Sequence, residues 1–223
     1  MSRILVTGAN RGIGLALCEA LAARGDEIIG VCRRTSEALA ACATRVIEGI
    51  DVAVPEDLAR LAEALEDASL DVVIANAGRL SSQRLGAIDA SAIEEMLTQY
   101  RINAIGPVLT AQALRPKLRR PARIAIITSR MGSIADNDSG GSYGYRMSKA
   151  AVNMAGVSLA RDLAGDEISV GLIHPGFVRT EMTGGQGLIE ASEAAAGIIA
   201  RIDELTAKRS GSFRHSNGES LPW

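Results

Sequence analysis

A chain of 223 residues is long enough to bury a sizeable core and is most simply one domain, expected to span 1–223. Apolar residues make up 47% and charged residues 22%, while 24 Lys and Arg against 26 Asp and Glu leave a formal charge of −2. That balance excludes the basic excess a nucleic-acid binder needs, and an aromatic content of 3% requires an aliphatic core.

Arg3–Thr7 is a β-branched run that ends at Gly8, and Gly12–Arg24 carries Ile13, Leu17 and Leu21 at helical spacing before Gly25. Glu27–Cys32 reads as a second strand, Glu37–Cys42 as a short helix and Arg45–Ile50 as a third strand. Pro55–Ala68 reads as a helix with proline in its first turn, where the missing N–H costs nothing. Leu70–Ala75 is a fourth strand, and a long helical stretch is expected over about Ala90–Leu118. Arg123–Thr128 is a fifth strand, Tyr143–Ala164 a long helix, Ile168–Ile173 a sixth strand and Ala191–Leu205 a last helix. Ser212-Phe213 suggests a short edge strand. The strands are continuous apolar runs, as in a parallel sheet covered on both faces. Their alternation with helices predicts a single-domain α/β fold, a doubly wound parallel sheet of about seven strands. Two segments break the rhythm: the polar, Gly-rich Gly132–Ser142, and Thr183–Gly187, expected to be a mobile loop.

Thr7-Gly-Ala-Asn-Arg-Gly-Ile-Gly14 lies between the first strand and the first helix. Gly8, Gly12 and Gly14 allow a sharp turn and close approach of a pyrophosphate, toward which the helix directs its N–H groups and positive dipole end. The end of the second strand, where an NAD site usually carries an acidic residue, holds Cys32-Arg33-Arg34 instead. Arg33 and Arg34, with Arg11 as a third cation, suit a 2′-phosphate, so NADP(H) is expected over NAD(H). Asp51 is placed to bond an adenine amino group, and Asn76-Ala77-Gly78 puts another glycine at the carboxyl edge of the sheet.

Tyr145 and Lys149 are one helical turn apart on one face. An unperturbed phenol titrates near ~10, too high for proton transfer at neutral pH, and a neighbouring ammonium is expected to lower it. Tyr143 has Met147 at the same offset and no cation, so Tyr145 is the candidate acid/base and Tyr143 a pocket-wall or subunit-contact residue. Ser129 ends the fifth strand, where its hydroxyl could bond a carbonyl oxygen. Three cysteines (Cys18, Cys32, Cys42) without CxxC spacing and two histidines (His174, His215) suggest reduced thiols and no metal site. The opening residues show no signal-peptide pattern, and no window approaches ~18 consecutive apolar residues. A cytoplasmic protein is expected, with neither nucleic acid nor membrane as partner.

In order, Thr7-Gly8-x3-Gly12-x-Gly14, Asn76-Ala77-Gly78, Asn103, Ser129, Tyr145-x3-Lys149 and Pro175-Gly176 resemble the short-chain dehydrogenase/reductase family, from residue 3 to about 182. The Gly-rich insert and Leu-Pro-Trp223 look most like its branch of C-factor and sniffer-type carbonyl reductases. The resemblance implies a small-molecule carbonyl or secondary alcohol as substrate, with hydride passing between it and the nicotinamide. It makes Tyr145 the general acid/base and Ser129 the group that polarises the carbonyl. Lys149 would bind the nicotinamide ribose and depress the Tyr145 pKa, and Asn103 would hold a water that continues the relay. Pro175, Gly176, Val178 and Thr180 would contact the nicotinamide, and Asn10, Ile13, Val52 and Ala77 would complete the cofactor site. The interval from Ser129 to Tyr145 is wider than the family's more usual spacing, and the extra residues fall in Asp136–Gly141, where a loop can absorb them. A homo-oligomer, dimer or tetramer, is implied through the helices at about 90–118 and 143–164, and a short loop after Thr180 suggests an open substrate site. A nucleotide-binding regulator of C-factor type, with little turnover, is the alternative implied function.

Overall fold

The computed structural model describes residues 1–66 and 69–223. Strands β1 (Arg3–Thr7), β2 (Glu27–Val31), β3 (Arg45–Ile47), β4 (Leu70–Ala75), β5 (Leu118–Ile127), β6 (Ile168–His174) and β7 (Ser212–His215) form one sheet. Their order is β3-β2-β1-β4-β5-β6-β7, and each pair is parallel. Helices α1 (Gly12–Ala23), α2 (Glu37–Cys42), α3 (Pro55–Ala64), α4 (Ala90–Tyr100), α5 (Gly106–Leu114), α6 (Tyr143–Asp162) and α7 (Ala191–Asp203) connect them. This is the expected Rossmann-like arrangement. The chain runs outward from β1 to β3, returns to the other side of β1 as β4, and so makes the crevice between β1 and β4 the topological switch point.

The strands are apolar at successive positions because both faces are buried. In β1, Ile4 and Val6 pack with Leu17 and Leu21 of α1, Leu39 of α2 and Ile198 of α7. Leu5 points the other way, into a layer with Leu58 and Leu61 of α3, Leu114 of α5 and Val152 of α6. At ~25 cal/mol per Å² of apolar surface removed from water, these aliphatic layers are the main source of stability in a protein with few aromatics.

Four elements differ from the sequence expectation, the simplest being β3, which stops at Ile47 where a strand to Ile50 was expected. The helix over about 90–118 is broken: α4 stops at Tyr100, Arg101–Ile105 is a π-helical turn, and α5 starts at Gly106. Pro107 is the physical reason, since it has no N–H to donate to the carbonyl of Asn103 four residues back. The Gly106 N–H instead bonds the Arg101 carbonyl, five residues back. Strand β5 begins at Leu118 instead of Arg123, and the step Leu70–Val72 on β4 faces the longer step Leu118–Arg123 on β5. Helix α3 ends at Ala64; residues 67–68 of the expected helix lie outside the described residues. Among the described residues, no helix is long and apolar enough to cross a membrane.

Candidate active site

The loop after β1 is a cradle closed to side chains. Gly8 and Gly12 have φ of +64° and +55°, the left-handed region that favours glycine. A Cβ on Gly14 would lie 2.1 Å from the Gly8 carbonyl oxygen and 2.6 Å from Asn76 Nδ2. Asn76 fixes this loop: its Nδ2 donates to the Thr7 carbonyl at 3.0 Å and to the Gly8 carbonyl at 3.2 Å. The Thr7 hydroxyl accepts from the Asn76 and Ala77 N–H groups at 3.1 and 3.2 Å. A Cβ on Gly8 would come within 2.8 Å of Ala77 Cα. Asn10 accepts from the Ser36 hydroxyl at 2.9 Å, tying the loop to the start of α2, and Ile13 packs into the α1 face of the core. Helix α1 starts after Arg11 with no side-chain cap. A turn that excludes a Cβ at Gly8 and Gly14, beneath an uncapped helix N-terminus, fits a dinucleotide pyrophosphate.

Beyond the end of β2, where the adenine end of the cofactor is expected, Arg33 and Arg34 are exposed, and Arg33 Nη1 lies 3.9 Å from Asp51 Oδ2. Asp51 is oriented by its own turn, accepting from the Ala53 N–H at 3.0 Å. Val52 is buried against α5, where a Cβ on Gly106 would lie 3.0 Å from its Cγ2. Arg11 departs from the expected third phosphate cation. Its guanidinium is ion-paired with Glu181, across the groove from the glycine loop.

Ser129 follows β5, and its hydroxyl accepts from the Met131 N–H at 3.1 Å. Tyr145 lies in the first turn of α6, with the Ser129 hydroxyl near enough to pull its pKa down. The polar insert therefore does not separate the two. It folds outward, held by Arg146 donating to Ser139 Oγ at 2.8 Å and to the Gly140 carbonyl at 3.2 Å, and by the Ala135 N–H on the Trp223 carbonyl at 3.0 Å. Gly132 lets the preceding turn lie flat on α6, since a Cβ there would come within 2.6 Å of the Lys149 backbone.

Lys149 is buried, with Nζ 5.7 Å from the Tyr145 ring centroid and donating to the Ile127 carbonyl at 2.9 Å. Burial pushes its pKa down to about 8. Burial pushes the Tyr145 phenol up from its ordinary value, and the hydrogen bond with Ser129 pulls it down. The expectation of a phenol lowered by Lys149 is thus not met in this state: desolvation weakens both charged forms, and the ammonium is directed at a carbonyl rather than at the phenol oxygen.

Asn103 lies in the π-helical turn and is buried. Its Oδ1 accepts from the Arg79 N–H at 2.8 Å, while Nδ2 donates to the Arg79 carbonyl at 2.8 Å and to Ser148 Oγ at 3.0 Å. Both amide hydrogens are committed, so any water on Asn103 falls to its main-chain carbonyl, which Pro107 deprives of the usual helical donor.

After β6, Pro175 and Gly176 (φ +96°) turn the chain into the segment that carries Val178 and Thr180. Val178 is buried and bridges Ile189. Thr180 lies over the glycine loop, its Cγ2 3.5 Å from where a Cβ on Gly12 would sit. Thr183 pins the segment expected to be mobile: its hydroxyl accepts from the Thr180 N–H at 3.1 Å and has the Val178, Thr180 and Gln186 carbonyls as acceptors within reach of its one hydrogen, at 3.0, 2.9 and 2.5 Å. His174, at the strand end, sits edge-on to His215 with centroids 4.8 Å apart. Burial pushes it down to about 3, with the His215, Arg130 and Lys149 charges adding to the effect.

Sequence reading placed Thr7 in the glycine motif without its hydroxyl's role, and it missed Ser148 and Asn153. Asn153, which accepts from the Thr128 hydroxyl at 2.6 Å, could have been found as the next turn of the Tyr145–Lys149 face. Gln83 and Gln99 were missed as well. They lie in a loop and on α4, and their partners are distant in sequence.

The chain matches the short chain dehydrogenase family over residues 2–188. It is 42% identical to the 1-hydroxy-2-glutathionyl-2-methyl-3-butene dehydrogenase of Rhodococcus sp. (strain AD45), over all of both chains. The carbonyl reductase Sniffer of D. melanogaster superposes with a TM-score of 0.90 at 31% identity, covering 100% of each chain. A carbonyl reductase from Pseudomonas aeruginosa PAO1, solved in complex with NADP, superposes at 0.84 with 33% identity, again covering 100% of each chain. With the glycine cradle, the Ser129–Tyr145–Lys149 cluster and the parallel sheet, these matches establish that the chain belongs to the short-chain dehydrogenase/reductase family.

Proposed function

We propose that the chain is an NADP(H)-dependent oxidoreductase that interconverts a small-molecule carbonyl and its alcohol. The observation that carries this reading is buried Lys149, one helical turn from Tyr145 with its Nζ 5.7 Å from the Tyr145 ring centroid, beside buried Ser129 and at the edge of the sheet that carries the glycine cradle. When bound, the nicotinamide supplies or accepts the hydride. Ser129 holds the substrate oxygen, and Tyr145 gives its proton to that oxygen in reduction or takes one in oxidation. Lys149 binds the ribose and re-protonates Tyr145, and the Asn103 carbonyl holds the next water. Pro175, Gly176, Val178 and Thr180 bound the nicotinamide.

The adenine end supports NADP(H). Arg34 is exposed, and among the described residues it has no carboxylate beside it. Arg33, at 3.9 Å from Asp51, can turn from that loose contact to a 2′-phosphate. Leu85, Ile134, Phe177, Met182 and Leu188 are exposed on the three loops at the carboxyl edge, which supports an apolar substrate and an open site. Ile93, Leu97 and Tyr100 on α4, with Met147 and Met154 on α6, are also exposed and support a homo-oligomer through these helices.

The test follows nicotinamide absorbance with a panel of ketones, aldehydes and alcohols. Wild type should turn over at least one class with NADP(H), Tyr145→Phe should lose about a hundredfold or more, and Tyr143→Phe should keep the wild-type rate. No turnover across the panel would favour a nucleotide-binding regulator.

A further inference from the structure

Helix α6 carries both Tyr145 and Lys149, so how its first turn is held decides where the phenol lies. The first N–H groups of any helix lack intrahelical partners and are usually satisfied by a side chain at the N-cap. Here the N-cap is Ser142, in a left-handed conformation (φ +45°), and its side chain makes no cap. The partners come from a loop about sixty residues earlier. Gln83 Oε1 accepts from the Gly144 N–H at 2.9 Å, and the Gln83 carbonyl accepts from the Ser142 N–H at 2.9 Å.

Gln83 is itself held. It is 5% exposed, and its Nε2 donates to Ser81 Oγ at 2.9 Å and to the Ser81 carbonyl at 3.2 Å. Ser81 is gripped in turn by Gln99 of α4, which is fully buried. Gln99 Oε1 accepts from the Ser81 N–H, and its Nε2 donates to Ser81 Oγ, both at 3.0 Å. The helix end is pressed onto this network: a Cβ on Gly144 would lie 2.6 Å from Gln99 Nε2 and 2.8 Å from Met96 Cγ.

We propose that Gln83 is a positioning residue for the reaction, a remote neutral cap that fixes the first turn of α6 and thereby the place of the Tyr145 phenol. The amide suits both ends of its task. Its oxygen caps Gly144, and its NH₂ anchors Ser81, which a carboxylate could not do. A carboxylate would also place a negative charge at the turn that carries Tyr145 and oppose formation of the phenolate. The charged and titratable groups on the surrounding elements are Tyr143, Arg146 and Lys149 on α6, Arg146 being held by Ser139 and Gly140; Arg84 beside Gln83; Arg130 after β5, paired with Asp136 and Glu219; His174 at the end of β6; and Glu94 and Glu95 on α4, Glu95 tied to Arg79. None of them supplies a negative charge to the first turn of α6.

This inference rests on the acid/base role proposed for Tyr145, so its test reads the phenol directly as well as through turnover. Tyrosinate absorbance is titrated in wild type and Gln83→Glu, each against the same protein carrying Tyr145→Phe, so that the difference isolates Tyr145. Gln83→Glu should fold, keep its cap, and move the Tyr145 midpoint up by on the order of half a pH unit or more. The limb of the kcat profile that follows Tyr145 should move with it. Gln83→Ala should lower kcat about tenfold or more and change the KM for NADPH less, because the glycine loop lies after β1 and Lys149 sits a turn beyond the capped end of α6. If Gln83→Ala does not fold, the Gln83→Glu titration decides alone. An unshifted Tyr145 midpoint in Gln83→Glu would overturn the proposal. So would wild-type kcat in a folded Gln83→Ala protein. Absence of turnover in wild type would count against the proposed activity and leave the titration readable.

Discussion

Asn103 grips the backbone of Arg79 from both sides, accepting its N–H and donating to its carbonyl at 2.8 Å each. Arg79 directly follows Asn76-Ala77-Gly78, so this clamp joins the cofactor edge of β4 to the π-helical turn, and through Ser148 to α6. Asn103→Ala leaves the pair of backbone groups and Ser148 without their partner. It should cost about 1–3 kcal/mol in urea unfolding and weaken NADPH binding. Asn103→Asp keeps the acceptor for the Arg79 N–H but loses both donors, so it should fall between Ala and wild type. Equal stability of all three proteins would show that the clamp carries no weight.

The cations at the adenine end are not equivalent. Arg33→Ala combined with Arg34→Ala should raise the KM for NADPH about tenfold to a hundredfold, the range of one or two charge-assisted contacts. NADH kinetics should be nearly unchanged. Arg11→Ala should do less, because Arg11 is already paired with Glu181. Steady-state kinetics with both cofactors reads the comparison. A wild type that uses NADH as well as NADPH would remove the 2′-phosphate from the argument.

His174 makes a prediction about acid stability. Its folded value is pushed down to about 3 by burial, His215, Arg130 and Lys149, while an unfolded histidine titrates near ~6.5. Between those values the unfolded chain binds the extra proton. The stability from keeping this ring neutral is therefore complete above about pH 6.5 and is lost as pH falls toward 3. At ~1.4 kcal/mol per pH unit the loss is on the order of 4–5 kcal/mol across the window. His174→Phe should flatten this part of the stability profile, as measured by denaturant midpoints from pH 7 to 4.

Most of the frame could be read from the chain because a parallel sheet buried on both faces writes continuous apolar strands. The glycine loop declares itself because no other residue tolerates its turns. Tyr145 and Lys149 were separable from Tyr143 by helical offset alone. The break at Asn103 was obscured by strong helical patterning on either side, although Pro107 was its cause. The direction of the Tyr145 shift could not be read either. A lysine one turn away argues for a lower value, and only packing reveals that burial outweighs it. The bonds from Asn76 to Thr7 and from Gln83 to Gly144 join residues 69 and 61 apart, and local sequence carries no trace of such pairs.

The strand order has a consequence for how the molecule is made. The loop after β1 can turn as soon as it is synthesised, but its floor is Asn76 and Ala77, which arrive only when β4 inserts beside β1. Closing that distance is entropically slow. A refolding chain therefore has no half-strength nucleotide site. Affinity should appear in one step, with the central strand pair, and nucleotide added during refolding should stabilise the finished sheet without speeding its earlier stages.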